Sequence, residues 1–239
     1  MPSEARNGRQ HISTLNEKPL HAALKTWYAR PGDRFEVEVD GFLVDIVRGD
    51  LLIEIQTRSF AALKRKLISL TANHPLRLVY PVARERWIVR LADNGNGVPA
   101  RRKSPKPGKL EGMFEELVSF PQLLKHPHFS VEVLLTQEEE IRRHEPGRAW
   151  RRRGWVTAER RLLNVVGRRL FESPADMRSL LPVELPDPFS TAELAETLAL
   201  PRGLAQKMAY CLRGMDVIGV AGKRGNAVLY RRVGVLSGR

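Results

Sequence analysis

Apolar residues in this chain gather in short runs of two periods. Leu20, Ala23, Leu24 and Trp27 recur at helical spacing and predict an apolar face, with Ser13 or Thr14 as the N-cap and Pro31-Gly32 as the stop. From Phe35 to Gln56 the pattern changes to three short runs, FEVEV, FLVDIV and LLIEIQ. Asp40-Gly41 and Arg48-Gly49-Asp50 punctuate them, so the stretch predicts a three-stranded antiparallel meander. A second helix is expected from a Ser59 cap to about Asn73, burying Phe60, Leu63, Leu67 and Leu70. Arg58, Lys64, Arg65 and Lys66 give it a basic side. LRLVYPV then predicts a central strand, which ERWIVRLA either extends or partners, and FSVEVLLT predicts a further strand after a helix and turn in GMFEELVSFPQLLKHP.

Two segments break this pattern. Residues 93–109, DNGNGVPARRKSPKPGK, are rich in Gly, Pro and Asn and read as a basic loop, either a plain linker or an arm whose Arg101, Arg102 and Lys103 neutralise phosphates. Downstream, Arg151-Arg152-Arg153-Gly154-Trp155 is the most concentrated basic patch. It reads either as an exposed helix-loop with inward tryptophans or as a nucleic-acid contact in which arginine neutralises backbone and tryptophan stacks on a base.

Charge sharpens the second of those readings. The chain has 239 residues with a net charge of +13, which favours a polyanionic partner, DNA, RNA or an anionic membrane, the membrane least because the basic residues do not lie on one long amphipathic helix. No apolar run has the length of a membrane span, and a single cysteine, Cys211, excludes an intrachain disulfide and fits a reducing cytoplasm. Residues 1–12 are polar and aperiodic and are expected to be disordered. His126 and His128 have no third ligand nearby in sequence, which argues against a zinc role.

The candidate chemistry lies in the meander. Asp45 interrupts its second run and Glu54 its third, with Gln56 on the same face as Glu54. Two carboxylates close together on a half-buried sheet repel each other unless a cation sits between them, and a hard dication such as Mg²⁺ takes one or two carboxylates together with substrate phosphates. Asp45 followed by Glu54-Ile55-Gln56 and a helix resembles the PD-(D/E)xK nuclease superfamily, whose core is a helix, a three-stranded meander, a helix and a strand. The resemblance covers about residues 13–92 and implies an α/β, restriction-endonuclease-like core with a mixed sheet flanked by helices. It implies Mg²⁺ or Mn²⁺ held by Asp45 and Glu54, a supporting carboxylate at Glu17 on the first helix, and cleavage of phosphodiester bonds. Gln56 stands where the superfamily usually has lysine; some restriction enzymes of the group also carry glutamine. Lys64 or Lys66 is positioned to replace the charge. Glu17 has a plainer role as well, closing a capping box with Thr14.

A second unit is expected from residue 173. Ser190-Thr191 caps one helix, residues 204–215 form another, and DVIGVAGKRGNAVLYRRV reads as strand, turn, strand. Residues 174–235 resemble a winged helix-turn-helix domain, with Arg202, Gln206 and Lys207 on the recognition helix and Lys223 and Arg224 at the wing. The chain thus divides as residues 1–12, a nuclease-like unit at 13–172 and a winged helix unit at 173–239. The leading expectation is a metal-dependent deoxyribonuclease. The alternatives are a DNA-binding protein that uses the nuclease fold as a scaffold without catalysis, and an RNA-directed nuclease. A homodimer is compatible with this class, many of whose members cut both strands as dimers.

Overall fold

The computed structural model describes residues 18–91 and 100–233. The expected disorder at 1–12, the Thr14–Glu17 capping box, Glu17 itself and residues 93–99 of the basic loop lie outside the described residues. The architecture is mixed α/β, with a seven-stranded mixed sheet flanked by helices and a second sheet of three strands.

The first helix, α1 (Pro19–Tyr28), precedes β1 (Arg34–Val39), β2 (Phe42–Arg48) and β3 (Leu51–Ile55), which pair antiparallel as the meander predicted. Asp40 and Gly41 both adopt positive φ, +49° and +77°, as the tight turn between β1 and β2 requires. A short 3₁₀ turn at Ala61–Leu63 leads into α2 (Lys64–Thr71). That helix carries the chain back so that β4 (Leu76–Arg90) runs parallel to β3. ERWIVRLA therefore extends β4 instead of forming its own strand. The first half of one β4 edge pairs with β3; the second half pairs antiparallel with β5 (Ala100–Lys103). So part of the expected basic loop is a strand. Its four residues are all exposed, and with Ala100 as the one apolar residue among them it carries no strand period to read.

The other edge of β4 pairs in parallel with β6 (Phe129–His144), which turns back into β7 (Trp155–Phe171). This corrects the helix-loop reading of the arginine-rich segment, which forms a long hairpin. Its strand character is hidden because glutamates occupy inward positions where apolar residues would mark the period. Between β5 and α3 (Phe114–Leu117) the chain crosses β4 so closely that a Cβ at Gly108 would lie 2.4 Å from the Ala83 carbonyl oxygen, so only glycine passes there.

The rest of the chain forms α4 (Pro174–Arg178), β8 (Phe189–Ser190), α5 (Thr191–Thr197), α6 (Arg202–Gly214), β9 (Ile218–Arg224) and β10 (Ala227–Arg232), with sheet order β8-β10-β9. Capping boxes start two of these helices, Ser173 with Asp176 on α4 and Ser190 with Glu193 on α5.

One face of the large sheet is covered by α1, where Leu20, Leu24 and Tyr28 pack on Ile46, Ile53, Ile55, Val79 and Leu134. Tyr28, not Trp27, completes the buried stripe: residues 20, 24 and 28 stack on one line of the helix, while Trp27 falls off it and is 43% exposed. The opposite face meets α2, α3 and the C-terminal helices in one continuous core that runs from Val44 through Phe60 and Phe120 to Met208, Leu212 and Ile218. Phe60 is fully buried, stacked on Phe120 at 5.6 Å and edge-on to Tyr80 at 4.9 Å. Phe60→Ala is expected to cost about 3–5 kcal/mol of folding stability, read as a lower denaturation midpoint in urea.

Candidate active site

The site is built where the meander ladders let go. The β1–β2 pairing joins Phe35 to Ile46 and Val37 to Val44, skipping Glu36 and Asp45. Glu36 turns to a positive φ of +51°, and its carboxylate accepts from Lys25 Nζ at 2.9 Å. The β2–β3 pairing ends at Ile46 with Ile53, and the same register continued sets Asp45 opposite Glu54. With no ladder partner there, the Ile55 N–H donates to Asp45 Oδ2 at 2.8 Å. His21 Nε2 reaches the same oxygen at 3.2 Å. On β3, Glu54 is only 7% exposed, and Lys66 Nζ on α2 donates to its Oε2 and to the Leu43 carbonyl, each at 2.5 Å.

The two carboxyls are held in opposite directions. Burial alone would raise the Asp45 carboxyl. The hydrogen bond and charge of His21, the Ile55 amide and Lys66 outweigh it and hold Asp45 below the ordinary carboxylate range. For Glu54, burial and then the negative charge of Asp45 prevail over Lys66 and push it up to about 7. Such a split between neighbouring titratable groups is common at functional sites and also arises in structural ion-pair networks.

The donor chemistry fits a hard dication. Among the described residues, Asp45 Oδ1 and Glu54 Oε1 accept no hydrogen bond, which leaves one oxygen of each carboxylate open to a cation. Among the same residues, no three His, Cys, Asp or Glu side chains group closely enough to hold a metal by themselves. Any ion here would depend on Asp45 and Glu54, with water and phosphate oxygens completing its shell.

Of the other sequence candidates, Gln56 is tied into the turn after β3. Its Oε1 accepts from the Arg58 N–H at 3.3 Å and its Nε2 donates to the Ser59 carbonyl at 3.4 Å. Of the two lysines considered on α2, Lys66 is the one that meets Glu54. His21 was not singled out in the sequence; its only signal is its place on the helix before the meander. Also unanticipated is Glu138, fully buried on β6. It takes Arg160 Nε and Nη2 at 2.9 and 2.6 Å, while Arg160 Nη1 donates to the Thr57 carbonyl just past Gln56. This pair fixes the loop that ends the site.

The candidate nucleic-acid contacts lie apart from the carboxylates. On β5, the Arg101 guanidinium lies over the Trp87 ring at 5.1 Å and pairs with Glu139; Lys103 also lies over Trp87 and pairs with Glu85; Arg102 is exposed. Arg151, Arg152 and Arg153 occupy the β6–β7 turn, with Arg151 over the Trp150 ring at 5.0 Å. Trp155 packs at the foot of that turn under Arg90 and beside His144. Arg202, Gln206, Tyr210 and Arg213 form one exposed stripe on α6. Lys207 leaves that stripe and bonds Glu115, so it ties α6 to α3. Lys223 is exposed at the β9–β10 turn, and Arg224 pairs with Glu193 at 2.8 Å.

Residues 18–172 match a family described as a domain of unknown function, DUF8091. An uncharacterized protein of Treponema pallidum (strain Nichols) is 32% identical over 225 residues, an alignment covering 92% of this chain and 87% of that relative. The chain belongs to the DUF8091 family. No solved structure matches it significantly. No helix among the described residues is long and apolar enough to cross a membrane.

The raised Glu54 carboxyl makes stability depend on pH. Its folded value, about 7, lies above the ordinary value of 4.5, so the folded state holds this proton more tightly than the unfolded chain. The stabilisation is full below the ordinary value and is lost as pH rises through about 7. Between pH 5 and pH 8 the wild type is expected to lose about 2 kcal/mol relative to Glu54→Gln, measured by urea denaturation of both proteins at each pH.

Proposed function

We propose that this chain is a metal-dependent nuclease of the PD-(D/E)xK type, acting on DNA with Mg²⁺ or Mn²⁺. The observation that carries the reading is the pairing of Asp45 and Glu54 across the open end of β2 and β3, Asp45 held by the His21 imidazole of α1 and Glu54 by the Lys66 ammonium of α2. The order α1, meander, α2, β4 supports a restriction-endonuclease-like core. The order α4, β8, α5, α6, β9, β10, with the exposed stripe on α6, supports a winged helix unit in which Arg202, Gln206 and Lys223 face the nucleic acid.

A dication bound at Asp45 and Glu54 would supply charge neutralisation at the phosphate and a more acidic bound water. His21 and the Ile55 amide fix the Asp45 carboxylate, leaving its second oxygen open. Lys66 keeps a positive charge beside Glu54, at the place where the superfamily's lysine is missing from residue 56, and so favours the ionised carboxylate. The Glu138–Arg160 pair holds the 57–58 backbone that closes the site.

A second reading, a nucleic-acid-binding scaffold without catalysis, is favoured by the commitment of Glu54 Oε2 to Lys66 and of the Gln56 amide to its own turn. The test is incubation of wild type and variants with duplex, single-stranded and branched DNA and with RNA, across a titration of Mg²⁺ and Mn²⁺. Asp45→Ala and Glu54→Ala are expected to abolish cleavage with binding retained, and Lys66→Ala to lower it by roughly a hundredfold or more. Salt-dependent binding with no cleavage of any substrate would select the scaffold. Cleavage of RNA alone would select the RNA-directed enzyme.

A further inference from the structure

The tip of the β6–β7 hairpin carries a feature that the candidate active site does not use. Trp150 is 79% exposed, the most open tryptophan among the described residues. An indole left in water forgoes the gain of burial. The turn is nevertheless built to hold it out. Ala149 and Arg153, on either side of the 3₁₀ turn at Trp150–Arg152, both adopt left-handed backbone, φ +48° and +50°. Gly154 then sits so close to His144 that a Cβ would lie 2.6 Å from its ring nitrogen.

The surroundings are cationic. From Arg142 to Arg161 the sequence has eight arginines against two glutamates. Arg148 and Arg152 are more than half exposed, and Arg151 lies over the Trp150 ring. A flat, exposed aromatic ring inside a field of arginines is complementary to one ligand chemistry, an unstacked base on a phosphate backbone. A continuous duplex offers no such face, because its bases are already stacked. An acidic peptide would satisfy the arginines and leave the indole without a partner.

The geometry points to Trp150 as a base-stacking tip, which gives the chain a preference for nucleic acid with an unpaired base over continuous duplex. The inference deepens the nucleic-acid part of the proposed function and does not depend on cleavage. From Val79, beside the candidate site, to Arg90, at the foot of the tip, β4 spans about 35 Å at full extension, about one duplex turn. The tip would thus hold an unpaired base about one duplex turn or more from the carboxylates.

The experiment is fluorescence anisotropy with the full chain in EDTA, using a labelled continuous duplex and the same duplex with a short single-stranded tail. Wild type should bind the tailed probe more tightly. Trp150→Ala should weaken binding to the tailed probe by about tenfold, the size of one lost base stack, and leave the continuous duplex within about twofold. Trp150→Phe should restore most of the loss, since it keeps a ring to stack. Because the side chain is exposed, unchanged circular dichroism of both variants is expected. Equal affinity of wild type for the two probes, or an equal loss on both in Trp150→Ala, overturns the inference while leaving nucleic-acid binding intact. Absence of binding to either probe overturns the nucleic-acid reading with it.

Discussion

The parallel ladder between β4 and β6 is the constraint on which the rest of this molecule depends. It runs from Leu76 with Phe129 to Arg90 with Arg142, with one register shift near Ala83. A parallel pair cannot be closed by a tight turn, so the chain between its strands must travel back across the sheet. That return path includes β5, the close crossing at Gly108 and α3. It lays Phe114, Leu117 and Phe120 over the core and gives α6 a surface to pack on. The near half of the ladder is flanked by β3, and the candidate carboxylates stand at the end of that short strand. The far half outruns the helices, and arginine and tryptophan accumulate there.

Carrying β6 so far has an electrostatic cost that the structure meets with paired charges. Glu132, Glu138 and Glu140 are all buried on this strand. Glu138 is held by Arg160; Glu140 is reached by Arg142, Arg86 and the Thr157 hydroxyl; Glu132 accepts from the Tyr28 hydroxyl and lies near Arg77. Burying a carboxylate is tolerable only when its lone pairs are answered at good geometry, and here the answering groups come from α1, β4, β6 and β7. Arg77, Arg86, Arg142 and Arg160 thus serve as internal counter-charge. Exposed arginines crowd the hairpin tip, at Arg148, Arg151, Arg152 and Arg153.

This division explains what the sequence could and could not disclose. The meander was legible because its apolar runs and the Asp40-Gly41 turn carry a local signal, and Asp45 and Glu54 stood out as acids inside it. The α6 and β9–β10 elements were legible for the same reason. The first half of β6 was legible in FSVEVLLT; the rest of the β6–β7 hairpin was not, because Glu138 and Glu140 hold inward positions and are answered by arginines of the hairpin itself and of β4. A pattern of apolar periods cannot register a strand stabilised by ion pairs. Nor could it separate Lys64 from Lys66 or bring His21 to Asp45, since those meetings depend on how α1 and α2 lie across the sheet. Trp27 and Tyr28 were separable only by the angle of α1, a difference of one residue along the helix.

The C-terminal helices share their core with the sheet. Met208, Leu212 and Ile218 belong to the same buried cluster as Val44 and Phe60. Lys207 bonds Glu115, and Lys109 donates to the Leu198 carbonyl at the end of α5 at 2.6 Å. A surface carried on a flexible tether samples a distribution of positions, and what it gains is an effective concentration set by the tether's length. A surface fused through a common core gains a fixed bearing instead. The α6 stripe therefore stands at one distance and one angle from Asp45 and Glu54, a template of set dimensions.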